Sequence, residues 1–446
     1  MKEQSLLKGA AIIAAGGFIA KLIGAVYRIP LTNLIGGQGI GLYQMVYPFY
    51  CLLLTVSATG IPSSISTLVA AERAKGETAR RVLPTAMKLF LLIGGAGTVL
   101  MFALAPVLAN VQGEKGLVYG YVALAPSVFL VSAISVFRGW FQGLKNMRPT
   151  AFSEITEQVV KVGFGLLFAY LYRADVFKAV TMLLFAVSLS ELVALLLMIF
   201  FYKRVPANEL LGKDRGRVEV KEILKMSVFV TLSSALLPLS NLVESVLLVR
   251  LMGKYTENAV TLYGLFSGGA VTIVNLPVSV CYGIAAASVP AVSEANGQAD
   301  ENKPKRVRKK VRFSLFLTLL VSVPSALLLY FFAPTLVDVV YRALSGSEKE
   351  TLIGLVKAFA ISAVTLSCLQ TTSACLTAQG KPRLSMTAMA IGVSLKLGLE
   401  FLLVSNPSVS IMGAVIASNA CYAFVFLLDL FFHIRLNVRK KRSKNE

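Results

Sequence analysis

Runs of eighteen or more apolar residues recur along the whole of this 446-residue chain, and nothing constrains its fold more. A helix needs about 20 such residues to cross a hydrocarbon core of ~30 Å. Twelve runs can be drawn, near residues 9–30, 39–70, 83–110, 117–137, 151–172 and 178–202, then 223–251, 261–293, 312–334, 351–378, 384–404 and 409–434. The stretches between them are too short for a soluble domain. Membrane β-barrels are excluded, because their strands show about ten alternating residues instead of continuous apolar runs. Composition agrees, with 56% hydrophobic residues, only 15% charged ones and a mean hydropathy of +0.72. The sequence therefore predicts an all-α membrane protein of about twelve transmembrane helices.

The first run follows Lys2 and Lys8, as a secretory leader would. It nevertheless carries Lys21 in its middle and leads into Arg28, Pro30 and a Gly-rich turn, with no small-residue cleavage site, so it reads as a retained span.

The formal net charge of +21 is distributed by loop. Loops on the side of the N-terminus, with both termini, hold 31 of the 44 Lys and Arg; the opposite side holds eight, counting Arg28. By the positive-inside rule both termini are cytoplasmic and the chain lies in the cell membrane. The densest basic runs are residues 303–312, 203–225 and 439–444, each beside a span, where anionic lipid headgroups are the expected partner at ~1 kcal/mol per basic residue. No nucleic-acid partner is expected, since these runs lack interleaved aromatics for base stacking. Five cysteines (Cys51, Cys281, Cys368, Cys375, Cys421) lie inside spans without metal or redox spacing and read as packing residues. His433, the one histidine, stands at the end of the last span and cannot supply a His-rich metal site.

The chain is written twice. LYQMVYPFYCLLLTVSATGIPSSISTLVAAERAKG from Leu42 corresponds to LYGLFSGGAVTIVNLPVSVCYGIAAASVPAVSEANG from Leu262, and FQGLKNMRPTAFSEITEQVVKVGFG from Phe141 corresponds to AQGKPRLSMTAMAIGVSLKLGLE from Ala378. Six spans per half return the chain to its starting side, so the repeat is parallel. Two six-helix lobes follow: residues 1–215 hold spans one to six and the start of the central cytoplasmic loop, and residues 216–446 hold spans seven to twelve and a basic tail. Transporters built this way rock one lobe against the other around a midplane site.

A charge in mid-membrane costs ~2.5–3.5 kcal/mol, so each marks a candidate site unless its side chain can reach the interface. Gly17, Lys21, Gly24 and Arg28 recur at steps of four, three and four, on one face of span one. The glycines permit close approach by another helix or by a ligand. Lys21 and Arg28 are thus candidates for an anion site, with snorkelling the alternative for Arg28 and a salt bridge the alternative for Lys21. Span five places Glu154, Glu157 and Lys161 on one face, with Glu157 and Lys161 able to pair. Span seven holds Glu244 and Arg250, and span eleven holds Lys396 and Glu400. These seven residues form a candidate gate or coupling network, with a purely structural network as the alternative. Glu191, Lys357 and Asp429 lie alone or near span ends and read as structural or interfacial. Pro62, Pro277 and Pro290 mark expected helix breaks in spans two and eight.

No phosphate-binding loop of the G-x-x-x-x-G-K-[ST] type is present, so ATP does not drive this chain directly. GGQGIG at 36–41 follows no strand and reads as an outer turn between spans. Outer loops are short and carry no set of carboxylates for a polymerase or glycosyltransferase. A non-enzymatic transporter without cofactor or metal is expected, working as a monomer.

GAVYRIPLTNLIGGQGIGLYQMVYPFY, TGIPSSISTLVAAERAKGE, FQGLKNMRPTAFSEITEQVVKV and LPVSVCYGIAAASVPAVSEANGQAD together resemble the stage V sporulation protein B family, within the superfamily of oligosaccharidyl-lipid flippases. The resemblance covers essentially the whole chain, and the short length resembles a short sporulation-associated member. It implies a two-lobed fold like that of lipid II flippases and multidrug and toxin extrusion exporters, and a polyprenyl-diphosphate-linked saccharide as cargo. It also implies that Lys21 and Arg28 hold the diphosphate. Lipid II flippases have fourteen spans, the last two thought to line a groove for the lipid tail; twelve spans leave that groove without its lining. A drug or cation exporter on the same fold, in which acids would dominate the site, and a non-transporting scaffold of a sporulation complex are the competing readings.

Overall fold

The computed structural model describes residues 6–59, 61–74, 82–206, 220–297 and 303–442. Among them every regular element is helical. The chain enters through α1 (Leu6–Leu54), which is really two helices, because Gly36 at φ 69°, ψ −178° turns the backbone where only glycine is comfortable. GGQGIG is accordingly a turn between two spans. A π turn at Thr55–Thr59 leads into α2 (Ile61–Ala74). Then come α3 (Val82–Val111), α4 (Leu117–Gly143), α5 (Arg148–Leu171), α6 (Val176–Lys203) and α7 (Val220–Met252). The short α8 (Ala259–Gly264) passes through a second π turn, Leu265–Ala270, into α9 (Val271–Gly297). The chain closes with α10 (Lys303–Phe331), α11 (Ala333–Val340), α12 (Gly346–Phe359), α13 (Ser362–Ala378), α14 (Pro382–Val404) and α15 (Met412–Arg442).

Among the described residues nine helices are long and apolar enough to cross a membrane, or ten when α12 and α13, bent by 44°, form one span. The Gly36 turn divides the first of these in two. The 24-residue α5 is long enough to cross as well, although Glu154, Glu157 and Lys161 make it more polar than the others. The twelve spans expected from the apolar runs are thus all present as helices. Pro62 stands in the first turn of α2, directly after the π turn, where its missing N–H costs little. Pro277 and Pro290 stand inside α9, which runs through both; that span is interrupted earlier, at the π turn. The Pro290 side chain lies outside the described residues.

The chain divides into two compact units, Met1–Val246 and Leu247–Glu446, the division falling within α7. In the first, α4 packs on α2, α3 and α6, while α5 packs on α6 and α1. In the second, α13 packs on α9, α10 and α15, while α14 packs on α15. By span number the pairings two with four, three with four, four with six and five with six all recur six spans later. The repeat read from sequence is therefore a repeat of packing.

Small residues set these contacts, as they do where no water is present to drive helices together. Gly139 and Gly143 of α4 lie against α2 so closely that a Cβ at Gly139 would sit 2.8 Å from the Pro62 Cα and carbonyl oxygen. Around them Ile65, Val69, Phe90, Trp140, Phe141 and Met198 form the first unit's core. In the second unit Leu369, Ala388, Cys421 and Val425 join α13, α14 and α15. Four of the five cysteines are buried, Cys51 is half-buried, and all are free thiols. On the outward side of α3, Leu92, Val99 and Val107 are exposed, as lipid-facing residues are.

Candidate functional site

The stripe of glycines on α1 meets α5. A Cβ at Gly16 would lie 2.8 Å from Ala151 Cβ, at Gly17 3.8 Å from Glu154 Oε2, and at Gly24 3.2 Å from Gln158 Oε1. The close approach those glycines permit is thus made by the polar face of a second helix of the same unit. Arg28 continues the stripe, half-buried, and interacts electrostatically with Lys161 of α5 and with Tyr43, Tyr47 and Cys51 of the second arm of α1. The Lys21 side chain lies outside the described residues.

From α5 the charges spread to two further helices. Arg138 of α4 pairs with Glu157 at 3.0 Å and donates from Nε to Ser153 Oγ at 2.9 Å. The two charged side chains are only 14% and 17% exposed. Gln158 Nε2 donates to the other Glu157 oxygen at 3.1 Å, so this carboxylate is served on both sides. Arg138 also interacts with Glu154 and Glu191, and Lys161 with Glu157 and Glu191. Glu191 of α6 is buried; the Tyr50 hydroxyl donates to its Oε1 at 3.4 Å, and its Oε2 has no hydrogen-bond partner among the described residues.

Tyr43, Tyr47 and Tyr50 line the cluster in one column, with ring centroids 5.1 and 5.6 Å apart. Their arm of α1 is fixed by the Met45 carbonyl, which accepts from Gln112 Nε2 at 2.8 Å, while Tyr121 donates to Gln112 Oε1 at 2.8 Å. Four helices therefore converge on three described cations (Arg28, Arg138, Lys161) and three acids (Glu154, Glu157, Glu191).

Sequence reasoning missed two of these six. Arg138 falls one residue past the apolar run that ends at 137 and reads as a loop residue, but α4 continues to Gly143 and carries it inside the helix. Glu191 is alone on its helix, and its partners come from α1, α4 and α5, which no local pattern shows. The tyrosines do have a signal, since 43, 47 and 50 recur at steps of four and three. The remaining candidates belong to other helices. Glu244 is buried on α7 in the first unit, and Arg250 is exposed in the last turn of α7, in the second unit. Lys396 and Glu400 form a buried pair at 3.6 Å along α14.

A family model described as polysaccharide biosynthesis protein matches residues 6–296. The chain belongs to that family. A second model, MatE, matches residues 230–402. Stage V sporulation protein B of Bacillus subtilis (strain 168) is 29% identical over 441 residues, covering 96% of this chain and 83% of the relative. Lipid II flippase MurJ of the same organism is 24% identical over 452 residues, covering 94% and 81%. The inward-facing structure of a multidrug resistance MATE family transporter of the MOP superfamily superposes with a TM-score of 0.80 at 16% identity, covering 95% of this chain and 96% of that one. The fold of this family member is thus that of MATE transporters, as the sequence resemblance implied, and the chain is a multi-pass membrane protein.

Proposed function

We propose that this chain is a flippase that exports a polyprenyl-diphosphate-linked saccharide by alternating access, with both termini cytoplasmic and a role in spore envelope or cell-wall formation. Arg28 carries the reading: a half-buried guanidinium on a membrane helix, on a stripe that includes Lys21, in a family whose relatives include a lipid II flippase. A diphosphate headgroup needs a cationic site away from bulk water, where charge-assisted hydrogen bonds are strong. Its tail can stay in lipid. Lys21 and Arg28 bind the diphosphate in this scheme. Glu154, Glu157, Lys161, Glu244, Arg250, Lys396 and Glu400 act in gating or coupling, and Pro277 and Pro290, each without an N–H, are where α9 can bend during the cycle. No reacting group is required, so transport and not catalysis is the activity.

Outward labelling of lipid-linked precursors in depleted and complemented cells tests this. Wild type restores exposure of the precursor, whereas Lys21→Gln with Arg28→Gln inserts normally and restores none. Unchanged precursor exposure on depletion would sink the flippase reading. Export of organic cations is the competing function, favoured by the half-buried Glu157 and the buried Glu191; it predicts drug resistance that survives Arg28→Gln and is lost in Glu191→Gln. A scaffold predicts that all these variants complement.

A further inference from the structure

One buried ionisable group in the second unit takes no part in anything above. Asp429 of α15 is fully buried, and its surroundings come mainly from α13. Ser373 Oγ donates to Asp429 Oδ2 at 2.5 Å. Thr372 Oγ1 lies 3.4 Å from the same oxygen, but it is nearer the carbonyls of Leu369 and Cys368, at 3.0 and 3.1 Å. A hydroxyl has one proton to give, so Ser373 is the one firm donor. Asp429 Oδ1 has no hydrogen-bond partner among the described residues.

His433, one turn further along α15, is buried and occupied at both nitrogens. Its Nε2 meets the Thr372 carbonyl at 3.1 Å and its Nδ1 meets Gln379 Nε2 at 3.0 Å. A carbonyl can only accept and the amide NH₂ can only donate, so this is a neutral imidazole in one tautomer. It supplies no positive charge to Asp429. The other elements packed on α15 are α10, α12 and α14. They carry Arg306 near the start of α10, Lys357 on α12 and the Lys396–Glu400 pair on α14, none of which is among the groups that act on Asp429. An ionised carboxylate here would keep a full charge away from water with a single firm donor, which is a costly arrangement in an apolar medium. A metal cation would want several more oxygen ligands, and no cluster of His, Cys, Asp or Glu able to hold one occurs among the described residues.

We propose that Asp429 is a proton-binding site of the second unit, loaded through the polar Thr372–Gln379–His433 end of α13 and α15 that leads into the basic tail. The carboxylate gains one O–H bond on loading and returns the proton to water on release; no other bond changes. That this proton is the ion driving export rests on the transport reading, but the binding of the proton does not.

The test is labelling of the purified full-length chain with an apolar carbodiimide, which reacts with protonated carboxyls, read by mass spectrometry across a pH series. An adduct at Asp429 is expected, falling about tenfold per pH unit above its midpoint, as for one titrating group. It is absent from Asp429→Asn and unchanged in Glu191→Gln. Ser373→Ala removes the donor that favours the ionised form, so its labelling persists to higher pH even where Asp429→Asn fails to fold. Absence of an adduct at Asp429 at every pH overturns the proposal, as does labelling that ignores pH and is suppressed by sodium ions. Either failure leaves the flippase reading standing, because precursor exposure is measured separately.

Discussion

Arg138 and Glu157 show how a buried charge acquires its value from its partner. Their 3.0 Å contact joins α4 to α5 at a depth where neither charge has ready access to water. Removing Arg138 still leaves Glu157 with Lys161 and Gln158, and removing Glu157 still leaves Arg138 with Glu154 and Glu191, so each loss should fall below the about 3–5 kcal/mol of an isolated buried pair. Arg138→Met and Glu157→Leu should therefore each lower the thermal unfolding midpoint of the purified protein, and the double variant should lose less than the sum of the two. Additive losses would show that the two side chains are held by different neighbours. The contrast between Glu157 and Glu191 also shows what sequence carries at this scale. Glu154, Glu157 and Lys161 are legible because they share one helix face, as are Lys396 and Glu400. Glu191 and Arg138 are not, because their meaning lies in helices 34 and 19 residues away in sequence from Glu157.

At the scale of elements, the twelve spans are legible because each needs a continuous apolar run, and the turn at 36–41 is legible because Gly36 must take a positive φ. The π turns are not. One extra residue in a helix leaves no mark on composition, and the prolines that draw the eye in the second repeat, Pro277 and Pro290, stand after the irregularity instead of within it. Since such a turn amounts to a one-residue insertion, deleting Val56, whose side chain is exposed, should return Thr55–Thr59 to plain α-helix without rotating α2. Membrane insertion and thermal stability should persist while precursor exposure falls. Loss of insertion would show instead that the turn is needed for folding. The α2–α4 contact is stricter. Gly139→Ala drives a Cβ to 2.8 Å from the Pro62 backbone, which cannot give way as a side chain can, so a loss of about 1–3 kcal/mol is expected in the same unfolding assay. Gly163→Ala on α5, where a Cβ would meet nothing within 4 Å, is the matched control.

The whole molecule is a duplicated plan whose halves have diverged in charge. The first repeat gathers Arg28, Arg138 and Lys161 at one cluster of acids and carries Lys21 on the Arg28 stripe, whereas in the second Lys396, near the place of Lys161, is paired along its own helix with Glu400. Such asymmetry has a consequence for the energetics of a flippase cycle. A diphosphate with about two negative charges, bound by Lys21 and Arg28, crosses as a nearly neutral complex, whereas the empty site returns with its two cations uncompensated. A negative-inside potential then acts on the return, by up to ~2.3 kcal/mol per charge per 100 mV. Collapsing the potential with a potassium ionophore should accordingly slow multiple-turnover export by at least an order of magnitude while leaving the first turnover from a preloaded carrier little changed. Arg28→Gln, if it retains residual export, should make the first turnover voltage-sensitive as well, because one charge of the cargo now crosses unbalanced while Lys21 alone still returns uncompensated. Equal effects of potential on first and later turnovers in the wild type would mean that the cations of span one do not travel with the cargo.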